Sequence, residues 1–543
     1  MLNFSNDFFL LFLIILSYKI ICYNKLAFVQ LLKQKYRITL LDKFYKMANK
    51  DFSIVITGTG FSGICVGIQL KKAGFHNFKI VEKANEVGGT WRDNTYPGAA
   101  CDVKSNLYSY SFEPNPNWSR VFSPQPEILA YIKHCVKKYD LEEHILFNWE
   151  VKSAKYDEAT CKWEITNQKN KKLTANIAIV GNGPLHIPSL PNIEGIQDFE
   201  GEIFHSAQWN HEYDLKGKNV CVIGTGASAI QFVPEIQPKV KNLYLMQRTA
   251  PWVLPKPDEE FSNTQNVLFE KVPFIQKLNR DFIYYFNEAQ VVGMMYEDKI
   301  LQLGEVLGKR HINKYIKDKE LRKKLTPTYR LGCKRVLLSN NYYPALAQNN
   351  VDVVTDGIQK FTKDSVVTKD GKSRKIDAII LGTGFHVADS FQYYNVTGKN
   401  GLQLKDVLHD TPEAYYGTSV HHFPNLFIML GPNTGLGHNS MIYMIESQTN
   451  YIIDAVKKMQ AQNIQTIEVR KDVQTKFNEE IQKKLEGTVW LSGCKSWYLS
   501  ENGKNYTVWP GFTLEFRNRT KHINLNDYHV EKIKATKKEA ELV

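Results

Sequence analysis

SIVITGTGFSGICVGIQLKKAG, residues 53–74, decides the fold. SIVIT is a β-branched apolar run of strand length, Gly58-x-Gly60-x-x-Gly63 follows at once, and residues 64–74 carry helix-length apolar spacing closed by glycine. FKIVEK (78–83) then reads as a second strand ending in the acid Glu82. A GxGxxG match alone is a weak signal. Set between strand, helix, strand and acid, it is the whole unit by which an α/β protein holds a dinucleotide. Gly58 permits the tight turn, Gly60 lets a pyrophosphate approach the backbone, and Gly63 packs helix on strand. The helix N-terminus offers free N–H groups to the anion. Glu82 would accept hydrogen bonds from ribose hydroxyls and repel a 2'-phosphate, so this site suits FAD or NAD better than NADP.

Working outward, the pattern recurs. NVCVIGTGASAI (219–230) supplies a strand, Gly224-x-Gly226-x-x-Ala229 with Thr225, Ala227 and Ser228 between, and a helix entered through Ile230. NLYLMQRT (242–249) is the next strand, and it ends in Arg248 and Thr249 rather than an acid. A guanidinium beside a hydroxyl suits a 2'-phosphate, so the second site selects NADPH. Two nucleotide sites in one chain imply hydride traffic from NADPH to FAD. IAIVGNGP (177–184) and DAIILGTGF (377–385) are further strand-to-glycine turns, read as the crossings by which the chain leaves and re-enters the flavin unit. The expected architecture is α/β with two Rossmann-like domains. The FAD-binding domain is discontinuous, 51–190 and 377–543, and the NADPH-binding domain spans 191–376 with a helical insertion at about 259–325.

Composition bounds the rest. At 543 residues and 43% hydrophobic content the chain can bury a large core and should hold two or three domains. The net charge of +13 is concentrated partly at the ends, as in KQKYR (33–37) and EKIKATKK (531–538), and no basic stripe interleaved with aromatics marks a nucleic-acid surface. The eight cysteines are dispersed, with no CxxC and no metal-ligand spacing. That predicts free thiols in a reducing compartment, no structural zinc and no redox cysteine pair. FFLLFLIIL (8–16) is too short for a membrane span, which needs about 20 apolar residues. MANKDFSIVITGTG, from Met47, resembles a cytosolic N-terminus leading straight into the first strand. A cytoplasmic protein is expected, with membrane association possible only through residues 1–25.

Two fingerprints carry a family resemblance. FEGEIFHSAQWN (199–210) matches FxGxxxHxxxW at Phe199, Gly201, His205 and Trp209, with Asn210 where proline or aspartate is usual. GGTWRDNTYPGAACD (88–102) matches GxWxxxx[FY]PGxxxD. From about residue 51 to 520 the chain resembles the Baeyer–Villiger monooxygenases, class B flavoproteins related to the flavin-containing monooxygenases. The resemblance places Thr90, Trp91, Asp93, Asp102, Tyr108 and Val151 around FAD. In GCKRVLLSNNYYP (332–344) it makes Arg335 the catalytic arginine, Asp102 its orienting carboxylate and Lys334 a 2'-phosphate contact. GPNTGLGHNSM (431–441) resembles a flavin-contacting turn with Met441 near the substrate, and SWY (496–498) sets Trp497 over the NADP ribose. His205 and Trp209 would govern domain movement rather than bond-making.

The activity so implied is insertion of one atom of O2 next to a ketone carbonyl through a flavin C4a-peroxide, giving an ester or lactone. A fixed guanidinium would stabilise both oxyanions of that reaction. Oxidation of N or S centres is the alternative, and it does not require Arg335. A disulfide reductase would need the cysteine pair.

Overall fold

The computed structural model describes residues 52–533 except 297, 388–389, 394, 495 and 501. The N-terminal extension, including residues 8–16 and Met47, lies outside the described residues, as do the lysines beyond 533.

Strand β1 (Ile54–Thr57) leads through the glycine turn into helix α1 (Phe61–Lys72), and β2 (Phe78–Val81) returns parallel to β1. With β3 (Ile145–Leu146), β4 (Ile177–Val180) and, from late in the chain, β10 (Leu426–Ile428), they form a parallel sheet ordered β10-β4-β1-β2-β3. The run is apolar at successive positions because both faces are covered. Ile54 and Ile56 enter a core shared with α1 and the long helix α4 (Met441–Ala461). Val55 faces the opposite core, under a four-stranded sheet built from residues 151–157, 162–167, 172–175 and 396–397.

The second sheet repeats the plan. β5 (Glu202–His205), β6 (Asn219–Ile223), β7 (Asn242–Met246), β8 (Val351–Val354) and β9 (Ala378–Leu381) run parallel in the order β8-β7-β6-β9-β5. Helix α2 (Ala229–Ile236) follows the turn after β6. One expected boundary moves. DAIIL is an inner strand of this second sheet, paired on both sides, so the expected return to the flavin unit at 377 falls one strand too early. An apolar run before a glycine turn reads the same in either sheet, and only its pairing partners tell them apart.

Helices occupy 263–271, 273–295, 298–315 and 319–325, with α3 (Pro273–Met295) the longest. α3 docks on the loops that follow β2, where Arg280 Nη1 donates to Asn106 O at 2.8 Å and Gln276 Nε2 to Asn106 Oδ1 at 2.9 Å. Among the described residues no helix is long and apolar enough to cross a membrane.

The cysteine reading also needs correction. Cys333 and Cys494, 161 residues apart, are joined by a disulfide. Spacing carried no hint of it, because the pair is made by two loops that only the tertiary fold brings together. Cys65, Cys101, Cys135, Cys161 and Cys221 are free.

Candidate functional site

The carboxyl ends of both sheets open onto one cavity of about 1790 Å³, larger than the roughly 300–1,000 Å³ typical of a single small ligand. This is where open α/β sheets bind ligands, at the switch point of strand order. The switch lies between β1 and β4 in one sheet and between β6 and β9 in the other, and each is closed in the same way. At Gly58 (φ 86°) a Cβ would come within 2.9 Å of Gly181 O, and at Gly224 (φ 110°) it would overlap Gly382 O. The two additional glycine turns are therefore the packing partners of the two nucleotide turns.

Within the first turn the glycines differ. A Cβ on Gly63 would overlap Gly58 O, so Gly63 holds the helix against the turn from below and does not line the cavity. Gly60 has no atom closer than 3.7 Å to the corresponding position and opens to the cavity. Glu82 is buried at the end of β2. Its Oε2 accepts from Thr59 N (3.0 Å) and Thr59 Oγ1 (2.6 Å), its Oε1 accepts from Ala84 N (3.0 Å), and Arg92 Nη1 lies 2.9 Å from Oε1. Burial pushes this carboxyl up, but the hydrogen bonds and the Arg92 charge outweigh burial and hold it below the usual range. The sequence reading had Glu82 serving the ribose alone; its oxygens also tie the loop after β1 to the strand. Thr90, Trp91, Asp93, Tyr108 and Val151 line the same cavity, and Trp91 Nε1 donates to Tyr108 OH at 3.1 Å.

In the second turn Thr225, Gly226, Ala227 and Ser228 line the cavity, and a Cβ on Gly226 would meet no atom within 4 Å. Ala229 and Ile230 are buried beneath it and support the helix instead. Thr225 Oγ1 donates to Thr249 O at 3.2 Å. Arg248, just after β7, and Lys334, in a loop 86 positions later, both line the cavity. Lys334 Nζ stands 4.9 Å over the Tyr329 ring. Burial first, and Arg248 second, push its ammonium below the usual lysine range. Two cations on one cavity wall favour an anionic group there.

In the same cavity Arg335 meets Asp102. Nε donates to Oδ2 at 2.8 Å, Nη2 lies 2.7 Å from the same oxygen, and Nη1 donates to Leu436 O at 3.3 Å. The Asp102 charge holds the guanidinium proton more tightly than usual, so the positive charge persists at any working pH. Met441, at the start of α4, and Trp497, 46% exposed, line the same cavity.

The short fingerprint does not line it. Phe199 packs on Phe361 (6.4 Å between ring centroids), and Trp209 on Phe204 (5.1 Å) and Phe232 of α2 (5.3 Å). A Cβ on Gly201 would touch Asp377 O and the Phe199 ring. His205 is buried against Phe385, 5.7 Å between ring centroids, and Phe385 bridges to Pro188 on the other crossing. Asn210 Nδ2 donates to Glu202 Oε1 at 2.8 Å, which explains an amide at that position. The spacing is that of a brace across the edge of the second sheet and behind both crossings.

Sequence reasoning missed Gln231. Its Oε1 accepts from Tyr96 OH (2.9 Å) and its Nε2 donates to Ala100 O (3.0 Å), joining α2 to the 88–102 loop. A polar residue two positions past a GxGxxA turn was the available signal. Asn182, whose Oδ1 accepts from Thr57 Oγ1 at 2.6 Å, was missed in the same way. Away from the cavity, His421, His422 and Glu468 cluster within 4.8 Å, but Lys399 Nζ already sits 3.1 Å from Glu468 Oε2 and supplies its counter-charge.

Comparison with known proteins agrees with this geometry. Residues 51–399 match the FMO-like family, flavin-binding monooxygenase-like proteins. A Baeyer–Villiger monooxygenase of Pseudomonas aeruginosa is 49% identical over 485 residues, 89% of this chain and 92% of the relative. A structure of OTEMO in complex with FAD and NADP superposes with a TM-score of 0.80 at 26% identity, covering 89% of this chain and 99% of the other. An ε-caprolactone-bound cyclohexanone monooxygenase superposes with a TM-score of 0.78 at 25% identity, covering 88% and 99%. The chain therefore belongs to the flavin-binding monooxygenase-like family, as an FAD- and NADPH-dependent Baeyer–Villiger monooxygenase.

Proposed function

We propose that this enzyme oxidises a ketone to an ester or lactone with O2, and that Arg335, oriented by Asp102, is its catalytic residue. The single observation that carries the assignment is the Arg335–Asp102 pair, set in the one cavity that both glycine turns line. The lactone held by the related cyclohexanone monooxygenase supports the substrate class.

FAD bound at the first turn and reduced by NADPH supplies the activated oxygen. The rest falls to the chain. Gly58, Gly60 and the start of α1 receive the flavin pyrophosphate, while Thr90, Trp91, Asp93, Tyr108 and Val151 wall the flavin. Gly224 to Ser228 receive the nicotinamide nucleotide, with Thr249, Arg248 and Lys334 at its 2'-phosphate and Trp497 over its ribose. Arg335 holds a permanent positive charge where negative charge develops on oxygen, and Asp102 and Leu436 O fix the plane of its guanidinium. Met441 lies at the substrate end. The unit of β1 to β4 with β10 is the FAD-binding domain, and the sheet of β5 to β9 is the NADPH-binding domain. His205 and Trp209 brace the second sheet as the two units move.

A panel of linear, cyclic and aryl ketones, followed by NADPH oxidation and by ester detection, tests the reading. Oxygenation of amines or thioethers with no ester from any ketone would overturn the substrate class.

A further inference from the structure

The disulfide between Cys333 and Cys494 links two segments that line the cavity. Cys333 immediately precedes Lys334 and Arg335, and Cys494 lies three residues before Trp497. Around Cys494 and Trp497 the backbone bonds of the described residues are local, while Tyr498 is buried in the core. Leu491 N donates to Thr488 O, Ser492 N to Val489 O, Leu499 N to Ser496 O and Tyr498 N to Ser496 Oγ. Ser492 and Gly493 are exposed, and Gly487 and Gly493 have positive φ with open space around them. The bond is therefore a covalent tie between the segment of the half-exposed Trp497 and the basic loop.

We propose that Cys333 and Cys494 form a redox modification site that sets the enzyme's grip on NADPH. This rests on the reading of Lys334 and Trp497 as NADPH contacts. With the bond formed, Trp497 is held near Lys334 and the coenzyme meets a pre-ordered wall. With the bond reduced, Trp497 loses its covalent tie to the basic loop and the wall must order on binding.

The chemistry balances without an added cofactor. In oxidation the two thiols give two electrons to hydrogen peroxide, the S–S bond forms as the O–O bond breaks, and both thiol protons leave in two molecules of water. Hydrogen peroxide is the product when NADPH and O2 are consumed without oxygenating substrate, so the oxidant arises beside the pair. In reduction a dithiol thiolate attacks the sulfur of Cys494, the less buried residue of the two at 8% against 0% exposure, and Cys333 departs as thiolate. The second thiol of the reductant then resolves the mixed disulfide. Uncoupled turnover thus drives the pair toward the form that retains the coenzyme better and suppresses further uncoupling.

The test uses holoenzyme oxidised with diamide or reduced with a phosphine. The 333–494 cross-linked peptide is quantified by mass spectrometry, and NADPH KM, kcat and peroxide released per NADPH are measured. The cross-linked form should show an NADPH KM lower by roughly threefold to tenfold, the effect of pre-ordering one or two side chains, with less peroxide and equal FAD content. Cys494→Ser should match the reduced enzyme and respond to neither reagent. If that variant folds poorly, the Cys333→Ser/Cys494→Ser double variant makes the same comparison. Failure of diamide to form the cross-link, or identical KM and peroxide yield in the two forms, overturns the proposal. Trp497→Ala separates the two readings. A raised NADPH KM in that variant with no effect of the cross-link removes only the redox site, whereas an unchanged KM removes the coenzyme reading as well.

Discussion

Arg335 and Asp102, 233 positions apart in sequence, meet through two guanidinium nitrogens on one carboxylate oxygen, at 2.8 and 2.7 Å. Both lie in a cavity that two separate sheets contribute to, so the pair forms only when the two units are docked. A lysine would place a single point charge there and could not span Asp102 and Leu436 O together.

Arg335→Ala should retain FAD, since the first glycine turn and Glu82 are untouched. Ester formation should fall by about a hundredfold or more, as for loss of one oxyanion donor. Product analysis with a responsive ketone, beside anaerobic flavin reduction, separates the catalytic loss from a coenzyme-seating loss. Ester formation at near wild-type rate would remove the assignment.

In the proposed reading, coenzyme choice rests on Arg248 and Lys334. Each charge-assisted contact to a phosphate contributes on the order of 1.5–3 kcal/mol, so Arg248→Ala or Lys334→Ala should raise the NADPH KM about tenfold or more. The NADH KM should barely move. Equal loss with both coenzymes would show that the pair supports structure rather than reads the 2'-phosphate.

Gly63→Ala should abolish FAD binding, because the added methyl overlaps Gly58 O and must push the turn apart. Gly226→Ala, at a position with nothing within 4 Å, should fold and bind FAD normally while NADPH binding weakens. Absorbance of bound flavin after purification checks the first, and NADPH KM the second.

Stability should fall with acid in a defined window. Burial holds His205 below the usual histidine range, and Ala207 N donates to its Nδ1. His144, His186 and His311 are likewise lowered, in each case first by burial. Unfolded histidine titrates near 6.5, so below that pH the unfolded chain takes up protons that the folded chain refuses, and stability drops toward the folded pKa. Above about pH 7 these groups contribute no pH dependence. Thermal midpoints should therefore decline from pH 7 to 5.5, and His205→Asn, whose Oδ1 replaces the Nδ1 acceptor, should flatten the decline. A profile parallel to wild type would exclude His205 as a contributor. Glu82, held below its usual range, adds a further loss only as the pH falls below about 4.5.

By itself the sequence determined both glycine turns, their strands and helices, and the basic pair at 334–335, because these depend on backbone geometry and charge within short windows. SIVIT and NVCVI are apolar at successive positions since sheets buried on both faces require it, and the glycines are needed wherever a side chain would strike backbone. Fingerprint residues 199–209 were recognisable in sequence, but their place behind the crossings was not. Tertiary structure alone decided which sheet takes Ala378–Leu381, that Asp102 reaches Arg335, that Gln231 locks α2 to the 88–102 loop, and that Cys333 finds Cys494. Each of these joins residues more than a hundred positions apart, where local pattern carries no information and only the packing of the two units brings the partners into reach.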